Sequence, residues 1–323
     1  MYNMNYQEWH KSALELSKKG LSGRKIAKQL GRGKTQINDV IKAYREGCLE
    51  TSEPEIKKPK VLYFDLENSL MQAYTFDIWN VNIGGNRINK HSHLLSNSWA
   101  FDDEPVQGIR LTPEQVKDSD DLLVVVDMIK AIEQADILVS YNGISFDKKV
   151  LNTRALHHNL PPIRWGKHFD VMREIKKNFR FPSNSMDNVS NYLGIEGKNT
   201  SNHQRLWERC FEWWNHEECE EALKQMLVYG KQDIVVLRNL HKRIMGWDKS
   251  GVNVGLITKE INGVNTKDNH ELLCSHCGSK DVDKLTSKGY TTTTSYSVYR
   301  CGSSACRGLS KSNAAETKLV NYI

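Results

Sequence analysis

The sequence predicts an α/β protein in which a mixed sheet flanked by helices lies between a small helical domain and a small cysteine-bearing domain. Three observations carry that expectation. Residues 60–170 show early strand-like runs and then alternate helix and strand patterns, which is how a mixed sheet reads in sequence. Residues 1–48 show three short helical periods separated by glycine. Residues 271–312 hold Cys274, Cys277, Cys301 and Cys306 in two tight pairs.

At 323 residues the chain has room for two or three domains. Hydrophobic residues make up 39% and charged residues 26%, which excludes a disordered chain. No apolar run approaches the ~20 residues of a membrane span and no signal-peptide pattern opens the chain, so a cytoplasmic location without membrane association is expected. The net charge of +6 is uneven: residues 1–60 hold 13 Lys/Arg against 7 Asp/Glu, and residues 249–323 hold 10 against 6. The centre therefore holds 22 against 26. Basic ends on an acidic centre suggest polyanion-binding modules around a metal-dependent core.

In the first domain, Gln7 to Lys18 is a helical pattern ended by Gly20. Ser22 can cap a second helix reaching Leu30, and Gly31 makes the turn into a third from Lys34 to Tyr44. Ala27 permits close helix approach, Gly31 supplies the turn, and Ile37 packs the third helix back, so the stretch resembles a helix-turn-helix. That resemblance places the third helix in the major groove of duplex DNA, with Arg32, Lys34, Thr35, Gln36 and Asn38 near it. A three-helix bundle serving protein contacts is the plain alternative. Residues 49–59, rich in proline and charge, read as a linker, followed by a central domain over 60–247, a second linker over 248–270 and the cysteine domain over 271–312.

The central domain begins with Val61 to Glu67, an apolar strand that runs into two carboxylates. Side chains alternate along a strand, so Asp65 and Glu67 share a face, an expensive arrangement unless a cation lies between them. Ala73 to Asn82 reads as a second strand, Gly84-Gly85-Asn86 as a turn, and Leu94 to Phe101 as a third strand. A helix is expected over Asp121 to Gln134, a buried strand over Ile137 to Tyr141, a helix over Phe146 to Asn159 and a strand near His168 to Asp170. Arg205 to Met245 reads as helical with breaks near Asn215 and Gly230.

Two more clusters join the first. Asn142 through Asp147 leads from the buried strand into a helix with an acid in its first turn. Tyr229 and Asp233 stand at i and i+4 on one helix face. In order, D-x-E, N-x-x-x-F-D and Y-x-x-x-D resemble the three motifs of the DEDDy 3′→5′ exonucleases, a ribonuclease H-like family that includes polymerase proofreading domains. Phe169-Asp170, Asn178 to Asn184, Asp187 and Leu193-Gly194 are similar to the stand-alone phage-type members related to the family B proofreading domain. The resemblance covers roughly Lys60 to Trp247.

It implies that Asp65, Glu67, Asp147 and Asp233 hold two Mg²⁺ or Mn²⁺ ions, with Asp65 bridging, and that Tyr229 orients or helps deprotonate the attacking water. Phosphodiester hydrolysis suits that set, since two hard cations about 3.5–4 Å apart generate hydroxide and stabilise the leaving oxygen. Val228 stands where the sister DEDDh group has histidine. Asn142 would contact the 3′ end and Phe146 the terminal nucleotide, with a simple core role open for Phe146. The implied partners are single-stranded 3′ ends, duplex DNA and a polymerase or other replication protein, in phage DNA replication or repair.

Other residues take plainer readings. Trp207, Trp213 and Trp214 read as helix packing, Asp170 and Asp187 as hydrogen-bonding structural residues, and His157 and His158 as a solvated helix end. Arg180 and Lys198 are candidates for phosphate contact. Cys48, Cys210 and Cys219 are scattered and read as ordinary thiols.

The two cysteine pairs are separated by 23 residues, and the Thr/Tyr-rich stretch between them reads as a hairpin. Four thiolates in that pattern point to a zinc ribbon with one structural Zn²⁺, closed rather than catalytic, although C-x4-C is wider than the usual C-x-x-C. His276 lies between ligands without being one. Two readings stay open beside the DNA exonuclease: an exoribonuclease, and a non-catalytic DNA-binding regulator on a nuclease fold. The intact carboxylate set and Tyr229 argue against the regulator.

Overall fold

A computed structural model of the chain describes residues 8–45, 56–77, 79–195, 205–263, 272–291, 294–312 and 317–318; Cys48 and Lys198 lie outside them. The chain divides into two units, residues 1–57 and 58–323. No helix among the described residues is long and apolar enough to cross a membrane.

The first unit is three helices, α1 (Glu8–Lys18), α2 (Gly23–Leu30) and α3 (Lys34–Arg45). Ala13, Ile26, Ala27 and Ile37 close its core. Gly31 ends α2 at φ +61°, where a side chain would be strained. Gly23 is needed for a different reason: a Cβ there would meet Asn38 Oδ1 at 2.4 Å, so α2 and α3 cross tightly at that point.

The second unit starts with β1 (Val61–Asn68), a short ladder of β2 (Gln72–Ala73) and β3 (Ile88–Lys90), and β4 (Leu94–Phe101). Then come α4 (Pro113–Asp118), α5 (Leu122–Glu133), β5 (Ile137–Ser140), α6 (Asp147–His157) and β6 (Lys167–Asp170). α7 (Val171–Asn178), α8 (Met186–Tyr192), α9 (Leu206–Phe211) and the long α10 (His216–Ile244) follow. The sheet has the order β4-β1-β5-β6, with β4 antiparallel to β1 and the remaining neighbours parallel. Alternation along β1 divides the core. Leu62, Phe64 and Leu66 pack with Val124, Met128 and Leu151 on one face, and Tyr63 joins Phe169, Leu237 and Leu240 on the other. Each fully buried side chain of this size contributes about 1.5–3 kcal/mol. The face carrying Tyr63 also carries Asp65 and Glu67, so the sheet that buries α10 aims both carboxylates toward that helix.

Four expectations need correction. Among the described residues of Ala73 to Asn82 no strand continues beyond Ala73: Phe76 is 95% exposed and Trp79 78%, so these residues are of strand-forming type but find no face to bury. α10 runs through Gly230 without a break, because the glycine serves packing rather than a bend. The expected linker over 248–270 contains α11 (Val254–Ile261), capped by Asn253 and packed on the core through Val254 and Ile257. His158 is no solvated helix end. It bonds Asp121 Oδ1 at 2.6 Å, and Arg154 holds the same buried carboxylate at 2.7 and 2.8 Å. Burial would raise that carboxyl, but the bonds from Arg154 and His158 outweigh it and hold it below the usual range.

The C-terminal part is β7 (Val282–Tyr290), β8 (Thr294–Cys301), β9 (Leu309–Lys311) and β10 (Thr317–Lys318), with β7, β9 and β10 all paired to β8. It is fixed to the α/β part through backbone. The Val254 N–H donates to the Ser275 carbonyl at 2.8 Å, and a Cβ at Gly246 would lie 2.1 Å from the Cys306 carbonyl oxygen.

Candidate active site

Three acids converge from two distant parts of the chain. Asp65 and Glu67 on β1 and Asp233 on α10 offer carboxylate oxygens that all lie within 4.8 Å of one another. Glu67 and Asp233 are buried and Asp65 half-buried. Asp147, at the first turn of α6, is outside that trio but tied to it, since its carboxylate accepts the N–H of Leu66, the residue between Asp65 and Glu67. Burial pushes the Asp147 carboxyl up to about 7, although the N–H groups of Asp147 and Leu66 pull it down. Such a group ionises fully at neutral pH only beside added positive charge.

Small and polar residues line the same face. In the β1–β4 register Asp65 is opposite Ser98 and Glu67 opposite Ser96. Both serine hydroxyls are buried without a hydrogen-bond partner among the described residues. A Cβ on Gly230 would meet Ser98 Oγ at 2.7 Å and Glu67 Cγ at 3.9 Å, so glycine lets α10 approach the strand pair. The polar run is visible inside an otherwise buried strand, but only the register with β1 shows what these serines face.

Tyr229, one turn before Asp233, is half-buried with its ring edge-on to Trp207 at 5.7 Å. Trp207 is thus the packing residue it was read as, and what it packs against is Tyr229. The loop after β5 is held by Asp170, whose carboxylate accepts the N–H of Asn142 at 3.0 Å and of Ile144 at 3.2 Å while capping α7. Those bonds keep Asn142 at φ +67°. Phe146, next along, is 51% exposed and therefore not a core residue.

The donor set fits hard divalent cations: crowded carboxylates, two of them buried, without Cys or His among them. The second cluster fits a soft ion. Sγ atoms of Cys274, Cys277, Cys301 and Cys306 also lie within 4.8 Å of one another. Cys274–Cys306 and Cys277–Cys301 are separated by 3.8 and 3.6 Å, far beyond a disulfide bond. A tetrahedron with zinc–sulfur arms of about 2.3 Å has edges of about 3.8 Å. N–H groups of His276 and Gly308 point at Cys274 and Cys306 sulfur at 3.4 Å, while His276 itself bonds the Leu309 carbonyl. Cys210 and Cys219 are buried free thiols.

In the first unit Lys34 and Thr35 are exposed at the start of α3. Arg32 lies over the Trp9 ring at 5.2 Å, Gln36 Oε1 accepts the Gly33 N–H at 3.1 Å, and Asn38 sits against Gly23. Three of the five side chains expected near DNA therefore also serve the fold.

A sheet with acids gathered at one helix crossing is an arrangement suited to holding hard divalent cations. The RNase_H superfamily pattern matches residues 62–245, more than half of the chain, and the protein belongs to that superfamily. Membership supports a nuclease that uses divalent metal. Among solved structures, the family B DNA polymerase of the hyperthermophilic archaeon Pyrobaculum calidifontis is similar, at 16% identity and a TM-score of 0.42. That similarity covers 66% of this chain and 28% of the polymerase. No protein of curated function matches the sequence significantly.

Proposed function

We propose that the protein is a 3′→5′ exonuclease that removes nucleotides from DNA ends. The observation that carries the reading is the meeting of Asp65, Glu67 and Asp233 beside Asp147, four acids contributed by β1, α6 and α10. These four would hold two Mg²⁺ or Mn²⁺, which when bound supply an activated hydroxide and neutralise charge on the scissile phosphate. Tyr229, steadied by Trp207, orients the attacking water through its hydroxyl. Asn142, fixed by Asp170, contacts the 3′-terminal nucleotide, and the exposed Phe146 ring packs against it. Cys274, Cys277, Cys301 and Cys306 hold one structural zinc, and the N-terminal helices present Lys34 and Thr35 to duplex DNA.

The test uses 5′-labelled single-stranded DNA and RNA with Mg²⁺, Mn²⁺ or EDTA, for the wild type and Asp147→Ala. The expected result is a metal-dependent ladder shortened from the 3′ end, absent for the variant. Binding without shortening of either polymer sinks the reading, and preferential shortening of RNA replaces DNA as the substrate.

A further inference from the structure

A cleft of about 1050 Å³ opens between the α/β part and the cysteine-bearing sheet. Its charge is lopsided. Arg180, Arg243 and Lys249 stand on one wall, Arg300 and Arg307 on the other, and all five are exposed. Among the described residues none of the five is in an ion pair, and Asp248 is the one acid that lines the cleft. Five unpaired cations facing one space repel one another, which is unfavourable unless a polyanion lies there.

The floor on the α/β side is aromatic. Trp247, Phe179, Phe181 and Tyr192 form a chain of ring contacts at 5.4, 5.9 and 5.2 Å. The two end rings are open to solvent, Trp247 at 60% and Tyr192 at 70% exposed. The walls are fixed rather than adventitious: Asn178 Nδ2 donates to the Trp247 carbonyl at 3.1 Å, the Lys249 N–H donates to the buried Glu174 at 2.9 Å, and Gly246 abuts the Cys306 carbonyl. Clustered cations with exposed rings between them suit a strand that offers phosphates and unpaired bases together. A folded duplex hides its base faces, and an acidic peptide has none.

We propose that this cleft is a second binding site for single-stranded polynucleotide, separate from the carboxylate cluster and independent of the ions held there. Arg243 stands ten residues beyond Asp233 on α10, about 15 Å along the helix axis. A strand whose 3′ end lies at the carboxylates is held upstream by the cleft. That direction rests on the exonuclease reading; the binding itself does not.

The experiment is anisotropy of a labelled oligothymidylate of about 20 nucleotides, longer than the roughly 4–16 that single-strand sites cover, with the full chain in buffer without added Mg²⁺ or Mn²⁺ and without chelator, which leaves the cysteine-bound ion in place. Arg180→Ala, Arg243→Ala and Arg300→Ala are combined, and a charge-matched control changes the exposed Lys130, Lys167 and Lys284, which lie outside the cleft. Each lost phosphate contact flattens the salt dependence by about 0.7, so the triple variant should lose about 2 from its slope and bind at least about tenfold more weakly at about 50 mM salt. Trp247→Ala, which leaves the charge untouched, should weaken binding about fivefold or more. Wild type that fails to bind without added Mg²⁺ or Mn²⁺, or a triple variant within about twofold of the control, overturns the site. Unchanged binding by Trp247→Ala overturns its single-strand character.

Cleavage separates this failure from failure of the exonuclease reading. With Mg²⁺ the triple variant should raise KM for the long strand, leave kcat unchanged and cut a dinucleotide at the wild-type rate. If the wild type cuts nothing, the nuclease reading falls and the titration without added Mg²⁺ or Mn²⁺ still decides the cleft.

Discussion

The carboxylate and cysteine clusters lie in one unit and are assembled in opposite ways. The four cysteines come from two local turns at the ends of a hairpin, and β7 of that hairpin has no fully buried residue. Their own sulfur atoms are the centre of the local core, joined by Met245 and Val282. The acids instead come from residues 65 to 233, placed by a sheet and a helix that are already buried on both sides. A cluster that forms the core needs its ion for shape. A cluster attached to a finished core needs its ion for chemistry.

The largest effect should come from removing the soft ion. Metal analysis should find about one zinc per chain, and Cys277→Ser should lose it, since apparent binding energies of structural sites are about 10–16 kcal/mol. Limited proteolysis should then cut within residues 272–311 while the melting of the α/β part persists. A variant that unfolds throughout would break the comparison. Removing a hard-ion ligand should act with the other sign on stability. Asp233→Asn should cut nuclease activity by roughly 10³-fold or more, because several kcal/mol of charge stabilisation are lost. The same variant should stabilise the metal-free protein by about 1 kcal/mol, because one of three crowded like charges is gone. Urea titration in EDTA checks this, and a loss of stability would count against the acids being held together by the fold alone.

The contrast also explains what the sequence disclosed. The cysteine turns are local, so spacing alone identified them, whereas strand alternation paired Asp65 with Glu67, i, i+4 geometry paired Tyr229 with Asp233, and only the family resemblance joined these pairs to Asp147 as one site. Ser96 and Ser98 were not legible, since their role depends on the antiparallel register of β4 with β1, a pairing across about thirty residues that no local pattern encodes. Gly230 was misread for the same reason: a helix breaker by propensity, it is required by Ser98 and Glu67 across the gap. Asp170 was rightly given a structural role, but its partners Asn142 and Ile144 emerge only from the parallel β5–β6 pair. The cleft was invisible because its walls are more than fifty residues apart in the chain.

Asp121 sharpens the comparison, being a buried acid that the protein itself neutralises. Asp121→Ala leaves the Arg154 guanidinium, at 9% side-chain exposure, without its carboxylate. The expected loss is about 3–5 kcal/mol, the usual result of breaking a buried pair from one side. Thus two acid removals in one fold should have opposite signs, destabilising at Asp121, which Arg154 holds, and stabilising at Asp233, which Asp65 and Glu67 crowd. If Asp121→Ala and Asp233→Asn move the urea midpoint in the same direction, the distinction between protein-neutralised and ion-neutralised acids fails.

The smallest expected effect concerns pH. Burial pushes His93 and His241 down to about 4 and His168 down to about 3. Unfolded, each takes up a proton near 6.5, so between that pH and about 4 the unfolded chain binds more protons and stability falls as pH falls. Above 6.5 both states are neutral at these positions and the contribution is flat. His241 is the cleanest of the three to remove, since it is buried in the α/β core, where its Nδ1 meets the Tyr63 hydroxyl at 2.9 Å and its ring meets Phe169. His241→Gln should be less stable at pH 7, yet its stability should fall less steeply between pH 6 and 5, by one proton or about 1.4 kcal/mol per pH unit. Zinc release followed over the same range separates the clusters. Thiolate protonation frees the ion with the same midpoint in both proteins, because its ligands are untouched, whereas the unfolding slope of the α/β part changes. Parallel slopes for the wild type and His241→Gln would place the acid sensitivity elsewhere in the core.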